Sequence, residues 1–584
     1  MDTDTDSALR DLVASAEAWI ADDPDPETRR ELEMLIAERD THGLAERFAG
    51  PLTFGTAGLR GELGAGPARM NQVTVARATA GLARQLIADV PDARDRGVVV
   101  GRDGRRGSPE LSRVVAEVLC GHGLRVHWIE GPTPTPVCAF AGRHTRAAAV
   151  AIVTASHNPP EYNGLKVYAP NGAQIVSPQD QRIQSEGIAA GSISDLPRTP
   201  FDAAESNGLL MRFDDALEAH YLGALDGQCQ GPVPPPAQVR VVTTALHGVG
   251  HRWIEAALRR RGFDDLHPVL EQSEPDGAFP TVTFPNPEEP GALDLSLALG
   301  ERVDADLVVA NDPDTDRLCV AVRRAGRPVR VLSGNELGVL LGDWLLRGRI
   351  AHGTAGDDPF LATTIVSTTM LRAVAEASGA TCLQTLTGFK WIWDRSLATM
   401  DRGGTFIFGF EEALGYCVGS VVRDKDGVGA AQILMELAAD LKSRGMTLLD
   451  QLDTLYRAHG VYLNHQVSVR LPGLDGRARI DALMAGLRSA PPVEIAQVAV
   501  TSVNDLAGPD AEALGLPRSN VIVFHLADRG RVVVRPSGTE PKLKSYLEVR
   551  EAVSPDEEVA DARRRAEPRM TGLVTWIDRV IGGP

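Results

Sequence analysis

A serine in a polar segment is the first candidate for chemistry. Residues 154–166 read TASHNPPEYNGLK and follow the apolar run AAAVAIV at 147–153. The sequence therefore predicts Ser156 at the end of a buried strand, with His157 and Lys166 nearby. A hydroxyl in that place can act as a nucleophile or carry a phosphate, and His157 and Lys166 can carry protons or bind phosphate. The alternative is a polar turn whose serine bonds only to local backbone.

Three carboxylates at alternate positions form the second candidate site. Asp312, Asp314 and Asp316 come directly after the apolar run DLVVAN at 306–311. In one turn they would repel one another unless a cation lay between them, and hard oxygen ligands suit Mg²⁺. The spacing does not fit an EF-hand, because Arg317 takes the sixth position, where glycine is needed. A solvated acidic turn is the alternative.

Three further loops carry groups suited to a phosphorylated ligand. Lys390, in TGFK, can approach a phosphate as a point charge. Glu411, in GFEEALGY, can accept hydrogen bonds from sugar hydroxyls. In RPSGTEPK, the fork of Arg535 and the backbone N–H groups around Gly538 can form an anion-binding nest. Taken alone, each loop is also typical of an ordinary surface turn.

The elements between these loops predict an α/β protein. From about residue 50, short β-branched runs alternate with helical patterns, which is typical of parallel sheets that bind ligands at the carboxyl ends of their strands. The first 48 residues read as two packing helices with Ser7 as an N-cap. The predicted divisions are a helical extension at 1–48, α/β domains at 49–205, 206–330 and 331–460, and a smaller C-terminal α+β domain at 461–584.

Composition excludes several classes of protein. The 584 residues carry a net charge of −18, which argues against partners such as nucleic acid or an anionic membrane. Six cysteines without a CxxC pair indicate reduced thiols, and the acidic N-terminus is unlike a secretory signal. No GxxxxGK[ST] is present, and no GxGxxG follows a strand, which disfavours nucleotide-dependent transfer and dinucleotide redox chemistry. We expect a soluble, cytoplasmic protein.

Together, these segments and their order resemble the α-D-phosphohexomutase superfamily, which includes phosphoglucomutases and phosphomannomutases. The resemblance extends from GTAGLR at 55–60 to the RPSGTEPK loop, and TASHNPPEYNGLK with DPDTDR is its most specific part. GTAGLR, GFKWI and FEEALGY look most like the branch that contains eukaryotic phosphoglucomutase-2. The resemblance implies three related α/β domains with mixed or parallel sheets and a smaller C-terminal domain, all around one central cleft.

The resemblance also implies a role for each site residue. Ser156 matches the phosphorylated serine, Lys166 matches the proposed general acid/base, and His157 and Arg60 match residues that line the reaction centre. The implied Mg²⁺ ligands are a phosphoserine oxygen on Ser156 together with Asp312, Asp314 and Asp316. The residues implied in substrate binding are Arg317, Lys390 and Glu411, with Arg535, Ser537, Gly538 and Thr539 in the distal phosphate loop.

The implied activity is a phosphosugar mutase that interconverts hexose 1-phosphate and hexose 6-phosphate, with glucose or mannose as the sugar. It would pass through a phosphoserine and a sugar bisphosphate, with Mg²⁺ as cofactor and glucose 1,6-bisphosphate as activator. Many family members have Glu-x-Ser where this chain has Glu411-Glu412-Ala413, so a sugar-contacting hydroxyl is missing. A phosphopentomutase or a glucose-1,6-bisphosphate synthase is the alternative.

Two other classes of protein stay open at this point. An aspartyl-phosphate phosphatase would use Asp312 or Asp314, although Asp316 stands where DxDxT needs threonine. A sugar-phosphate-binding protein without activity is the non-enzymatic alternative. A monomer and a dimer are both compatible with the sequence.

Overall fold

The computed structural model describes residues 2–55, 58–230, 239–324, 329–471, 476–537 and 542–582. The chain divides into two compact units. The first unit combines Met1–Arg323 with Gly415–Glu436, and the second combines Arg324–Leu414 with Leu437–Pro584. Within the described residues, no helix has both the length and the apolar composition that crossing a membrane requires.

The N-terminal extension contains one more helix than the sequence predicts. Its helices are α1 (Asp2–Asp22), α2 (Pro26–Ala37) and α3 (Thr41–Arg47). The predicted break before α2 is confirmed, and Asp25 accepts a 2.9 Å hydrogen bond from Glu27 N there. The third helix begins because the Asp40 carboxylate accepts a 2.9 Å hydrogen bond from Gly43 N. Ser7 lies inside α1, so its prediction as an N-cap is wrong.

The first sheet of the first unit is mixed, with the order β1-β2-β6-β5-β3-β4-β7. Its strands are β1 (Phe54–Gly55), β2 (Gly58–Glu62), β3 (Val98–Arg102), β4 (Val126–Trp128), β5 (Ala149–Val153), β6 (Tyr162–Tyr168) and β7 (Leu210–Arg212). The helices of this part are α4 (Gln72–Asp89), α5 (Ala93–Arg96), α6 (Ser108–Gly121), α7 (Thr135–His144), α8 (Gln179–Ile188), α9 (Phe201–Ser206) and α10 (Ala216–Asp226). Because β3 and β5 are parallel neighbours, the loops that begin at Asp103 and Thr154 leave the same edge of the sheet.

The second sheet positions the aspartates. Its elements in the first unit are β8 (Val241–Thr244), α11 (His251–Arg260), β9 (Leu266–Pro268), α12 (Asp294–Arg302), β10 (Leu307–Ala310) and β11 (Cys319–Val322). β10 runs parallel to β8 and antiparallel to β11. All four residues of β10 are buried, which the apolar sequence LVVA predicts. The turn between β10 and β11 carries Asp312, Asp314 and Asp316.

The second unit begins with another α/β segment. Its elements are β12 (Arg330–Val331), α13 (Gly334–Ala351), β13 (Pro359–Thr364), α14 (Met370–Ala377), β14 (Thr381–Thr385), α15 (Phe389–Met400) and β15 (Thr405–Glu411). β13 lies between β14 and β15 and runs parallel to both. The loop after β14 leads to Lys390, and β15 ends at Glu411, so both residues follow the same edge of a parallel sheet.

The chain then returns to the first unit with β16 (Gly415–Val418) and the N-terminal part of α16 (Gly427–Ser443). Buried polar contacts hold this segment there. Tyr168 Oη donates a 2.6 Å hydrogen bond to Asp424 Oδ2, and Tyr221 Oη donates a 2.7 Å hydrogen bond to Asp426 Oδ1.

The C-terminal part of the second unit is an antiparallel sheet with helices. Its elements are α17 (Leu448–His459), β17 (Val461–Arg470), α18 (Gly476–Ser489), β18 (Glu494–Ile495), β19 (Val498–Asp505), α19 (Asp510–Ala513), β20 (Ile522–Leu526), β21 (Arg531–Pro536), β22 (Lys542–Glu551) and α20 (Val559–Gly582). The strand order is β17-β22-β21-β20-β19-β18.

The predicted fold class, three α/β domains and a C-terminal α+β domain, is confirmed by this architecture. The domain boundaries stay predictions. β7 pairs with β4, so the first sheet continues past residue 205.

Candidate active site

Ser156 lies just beyond β5 in a turn that L-residues rarely adopt. Its φ is +53°, in the left-handed region, which costs about 1–2 kcal/mol. Ser156 N donates a 2.9 Å hydrogen bond to Thr154 Oγ1, which closes the turn. The buried hydroxyl donates a 2.7 Å hydrogen bond to Asp312 Oδ2 and lies 3.1 Å from His157 Nδ1. The fold thus brings the serine segment and the first aspartate into direct contact.

A buried arginine that the sequence analysis missed holds the serine turn in place. Arg105 Nη2 donates a 2.6 Å hydrogen bond to Ser156 O and another to Asn158 O. Its Nη1 donates hydrogen bonds of 2.8 Å to Pro159 O and 3.1 Å to Tyr162 O. One side chain therefore satisfies four backbone carbonyls of the loop between β5 and β6. Arg105 reaches this loop because β3, the strand before it, pairs with β5, and no local sequence signal marks it.

The three aspartates form one buried cluster, as the sequence predicts. Oxygen atoms of Asp312, Asp314 and Asp316 lie within 4.8 Å of one another, and all three residues are buried. The turn includes Thr315 at a φ of +62°, and its N–H donates a 2.9 Å hydrogen bond to the Asp312 carbonyl. Burial, followed by repulsion from the other two carboxylates, raises the pKa of Asp312 well above its usual range. Burial acts in the same direction on Asp314 and Asp316, but Lys166 outweighs it and holds the pKa of both below the usual range.

Two carboxylate oxygens of this cluster can take a further ligand. Asp314 Oδ1 and Asp316 Oδ1 are buried, and neither has a hydrogen-bond partner in the part of the chain that the structure describes. Burying such an oxygen without a partner is unfavourable. A divalent cation would satisfy both atoms and offset the mutual repulsion, and carboxylate oxygens are the ligands that Mg²⁺ prefers. The residues therefore fit a metal ion.

Two lysines contact the aspartate cluster. Lys166, fully buried on β6, lies with its Nζ 2.7 Å from both Asp314 Oδ2 and Asp316 Oδ2. Burial lowers the pKa of Lys166, but the two carboxylates outweigh it and hold the pKa above its ordinary value. Lys425 Nζ lies 2.9 Å from Asp316 Oδ2 and 3.5 Å from Asp424 Oδ1. The sequence analysis missed Lys425, which lies far from the other site residues along the chain.

The remaining residues predicted for this centre also lie beside it. Arg60, on β2, donates a 3.0 Å hydrogen bond from Nη1 to Asn158 Oδ1. Arg317 N donates a 3.0 Å hydrogen bond to Asp312 Oδ1, and its Nη2 lies 3.5 Å from His157 Nε2. Burial, together with Arg317 and Arg60, lowers the pKa of His157 well below its usual range. His157 is therefore a neutral ring within reach of the serine hydroxyl.

The predicted sugar-recognition residues lie in the second unit. Glu411 Oε1 accepts a 2.6 Å hydrogen bond from Gly388 N, so β15 and the start of α15 are joined at this point. Lys390 is nearly buried on the first turn of α15, and its Nζ lies 5.7 Å from the ring centre of Trp391. The adjacent Glu412 Oε2 accepts a 2.8 Å hydrogen bond from Ser367 Oγ. The structure thus groups Glu411 and Lys390 at one sheet edge.

The predicted distal phosphate loop begins at the end of β21 in the same unit. Arg535 is half-buried, and Ser537 N donates a 2.7 Å hydrogen bond to Lys542 O. Burial, followed by Glu412, raises the pKa of Tyr546. Gly538 and Thr539 lie outside the described residues, as do residues 56 and 57 of GTAGLR.

Four family models match this chain, in the order in which its domains occur. Family models match the alpha/beta/alpha domains of phosphoglucomutase/phosphomannomutase and then its C-terminal domain. Domain I matches residues 51–190, domain II 220–326, domain III 333–458 and the C-terminal domain 492–565.

Similar proteins cover most of the chain. A Haemophilus influenzae protein named "Probable phosphomannomutase" is 40% identical over 487 residues, 82% of this chain and 93% of that protein. The phosphopentomutase of Homo sapiens is 36% identical over 559 residues, 91% of this chain and 90% of that protein. The crystal structure of parafusin, a phosphoglucomutase from Paramecium, has a TM-score of 0.67 at 17% identity, covering 92% of this chain and 97% of that one. At 17% identity, the match to parafusin shows only that the two chains share a fold.

These matches define an isomerase that acts as an intramolecular phosphotransferase. The chain belongs to the phosphoglucomutase/phosphomannomutase family, within the α-D-phosphohexomutase superfamily.

Proposed function

We propose that this chain is a phosphosugar mutase that interconverts hexose 1-phosphate and hexose 6-phosphate, with glucose or mannose as the sugar. The observation that carries the proposal is the 2.7 Å hydrogen bond from the Ser156 hydroxyl to Asp312, inside a buried carboxylate cluster with two oxygens left to bind a cation. This arrangement holds one hydroxyl beside a charge-neutralising site, as phosphoryl transfer needs.

The reaction begins with a phosphoryl group on Ser156 Oγ. As the bond from phosphorus to Oγ breaks, a bond forms from phosphorus to a sugar hydroxyl oxygen, giving a sugar bisphosphate. Lys166, whose pKa is held above its ordinary value, is the residue we assign to this proton transfer: its ammonium gives a proton to Ser156 Oγ and regains one from the sugar hydroxyl. The bisphosphate then turns, and its other phosphate returns to Ser156 by the reverse exchange of atoms. The product is the isomeric monophosphate.

The remaining residues bind and orient the reactants. Asp312, Asp314 and Asp316 would hold Mg²⁺ together with the phosphoserine, and the ion, when bound, supplies positive charge to the transferring group. The other assigned residues line the centre or bind the sugar and its second phosphate: Arg60, His157, Arg317, Lys390, Glu411, Arg535, Ser537, Gly538 and Thr539. Glucose 1,6-bisphosphate is the proposed activator, because it can phosphorylate Ser156. We place the enzyme in the cytoplasm.

Pentose phosphates are the second candidate substrates. The similarity to human phosphopentomutase extends over 91% of this chain, and Ala413 lacks the hydroxyl that many family members have at that position. The third candidate function is that of a glucose-1,6-bisphosphate synthase, which uses an acyl phosphate as the phosphoryl donor.

A substrate panel with phosphate mapping tests the proposal. Initial rates are measured on glucose 1-phosphate, mannose 1-phosphate and ribose 1-phosphate, each with and without glucose 1,6-bisphosphate. The highest kcat/KM on a hexose supports the main proposal, and the highest on ribose supports the pentomutase. Label from ³²P-glucose 1,6-bisphosphate should map to Ser156, and Ser156→Ala should lose both label and turnover. Ser112→Ala, which removes another buried serine hydroxyl, is the matched control. Label on an aspartate, or turnover in Ser156→Ala, would contradict the proposal.

A further inference from the structure

The first unit contains a second basic cavity, separate from the serine centre. Its volume is about 560 Å³, and its lining contains four arginines and no carboxylate. The polar lining residues are Arg96, Arg143, Thr145, Arg146, Asn171 and Arg423. None of them belongs to the set assigned to phosphoryl transfer or sugar binding. The volume is in the range of pockets that hold small organic ligands.

Backbone carbonyls hold two of these arginines in place without neutralising them. Arg96 Nε donates a 2.9 Å hydrogen bond to Arg146 O, and Nη2 donates one of 3.1 Å to Ala147 O. Arg143 Nη1 donates a 2.8 Å hydrogen bond to Val421 O. A carbonyl satisfies an N–H group but leaves the net charge of the guanidinium uncompensated.

The lowered pKa of Arg143 is consistent with positive charge in the cavity that no carboxylate of its lining compensates. Burial, followed by the neighbouring Arg423, lowers the pKa of Arg143 to about 10. No carboxylate forms an ion pair with Arg96, Arg143 or Arg146 anywhere in the described ranges. On a chain with a net charge of −18, such a cluster is a local exception. Repulsion between the arginines would be relieved by a bound anion.

The donor groups of the cluster favour phosphate as that anion. Guanidinium groups bind phosphate oxygens in pairs through parallel N–H donors. Asn171 Oδ1 accepts a 3.0 Å hydrogen bond from Ala173 N, which leaves its NH₂ group as a donor. Arg146 follows α7 at a φ of +55° and is exposed, so its side chain can move onto a ligand. Several cations in one cavity match a ligand with more than one phosphate charge.

We propose that this cavity binds a small molecule that carries at least two phosphate groups. The site is distinct from the one that binds the mutase substrate. Arg423 directly precedes Asp424 and Lys425 in the chain, and Lys425 Nζ lies 2.9 Å from Asp316 Oδ2.

Calorimetric titration with inorganic pyrophosphate, in metal-free buffer, tests the proposal on the full chain. Arg146→Gln should weaken binding at this site several-fold and Arg146→Glu at least tenfold, because neutralisation and then reversal of one charge act on the same contact. Neither change touches a buried partner, so both variants should keep the wild-type thermal midpoint.

Two comparison variants separate this site from other anion binding. Arg479→Gln removes an exposed arginine of α18 and should leave pyrophosphate affinity unchanged. Arg535→Gln should also retain the binding that Arg146→Glu loses. The proposal is overturned if wild-type protein does not bind pyrophosphate, if Arg146→Glu binds as wild type does, or if Arg535→Gln alone abolishes all binding.

Discussion

The guanidinium of Arg105 donates a 2.6 Å hydrogen bond to the backbone carbonyl of Ser156. The same group bonds to three more carbonyls of the loop, at Asn158, Pro159 and Tyr162. The left-handed backbone of Ser156 is therefore held through its carbonyl oxygen. Arg105 is a positioning residue: its donors reach the loop backbone and leave the hydroxyl to Asp312.

Replacing Arg105 should lower kcat more than it changes KM. In Arg105→Lys, one compact ammonium cannot reach all four carbonyls, so the serine loop should shift. A displacement of about 1 Å at a reacting group can cost roughly 100-fold in rate, and the buried carbonyls left without a donor should lower the free energy of unfolding by about 1–3 kcal/mol. Steady-state kinetics and urea unfolding measure the two effects.

The adjacent arginine supplies the control for this prediction. Arg106 is exposed, and Arg106→Lys should change kcat and unfolding free energy little. A wild-type kcat in Arg105→Lys would show that the serine loop holds its geometry without this clamp.

The contrast between Arg105 and Arg106 shows what the sequence could predict. Ser156 and the aspartates follow apolar strands in compact motifs, so the local pattern was enough to single them out as candidates for chemistry. The two arginines stand side by side in GRDGRRGS, and nothing local distinguishes the buried one from the exposed one. Only the parallel pairing of β3 with β5 brings Arg105 to the serine loop.

Lys425 illustrates a second limit of sequence reasoning. By order along the chain, it falls within the predicted 331–460 domain, but the structure groups Gly415–Glu436 with the first unit. The reason is long-range polar packing: Tyr168 binds Asp424, and Lys425 binds Asp316. Such contacts leave no periodic signal in the sequence. The alternation of strands and helices, by contrast, is a local pattern, so the fold class could be predicted.

The backbone of Ser156 predicts a difference between two inactive variants. Ser156→Ala and Ser156→Gly both remove the hydroxyl, but only glycine adopts a φ of +53° without steric cost. Ser156→Gly should therefore be more stable than Ser156→Ala by about 1 kcal/mol. Urea unfolding measures the difference. The same pair of changes at Ser112, within helix α6, should give the opposite order because glycine weakens a helix. Equal stabilities at position 156 would mean that the turn relaxes without glycine.

Removing one unpaired carboxylate oxygen should weaken metal binding while keeping the local contacts. In Asp314→Asn, the amide oxygen can still accept from Lys166 Nζ and Thr135 Oγ1, which both lie 2.7 Å from Oδ2. The NH₂ group then replaces Oδ1, the atom without a partner. Affinity for Mg²⁺ should fall at least tenfold in calorimetric titration.

Thermal unfolding offers a second measurement of the same prediction. A cation at 100 times its Kd should stabilise the wild type by about 2.7 kcal/mol and the variant far less. Asp440→Asn, at a partly exposed position of α16, should respond to Mg²⁺ as the wild type does. Equal Mg²⁺ affinity in Asp314→Asn and wild type would place the metal elsewhere.

Lowering the pH should destabilise the second unit because Glu548 becomes protonated. This buried carboxylate lies 3.1 Å from Arg531 Nε and accepts hydrogen bonds from Thr369 N and Asn464 Nδ2, of 2.8 and 2.9 Å. Burial raises the pKa of Glu548, but Arg531 and the donors outweigh it, so the folded-state pKa lies below its ordinary value. The stabilisation is therefore complete above the unfolded-state pKa of about 4.3 and is lost as pH falls through the lower folded-state pKa.

The variant Glu548→Gln tests the direction of this pH dependence. At pH 7 the variant should lose about 3–5 kcal/mol, because Arg531 is left buried without its counter-charge. Toward pH 3 the gap to wild type should narrow, since the wild-type carboxylate becomes protonated as well. Glu567→Gln, on α20, is the control and should follow the wild type at both pH values. A gap that stays constant or widens in acid would show that the Glu548 carboxylate is not held ionised by Arg531.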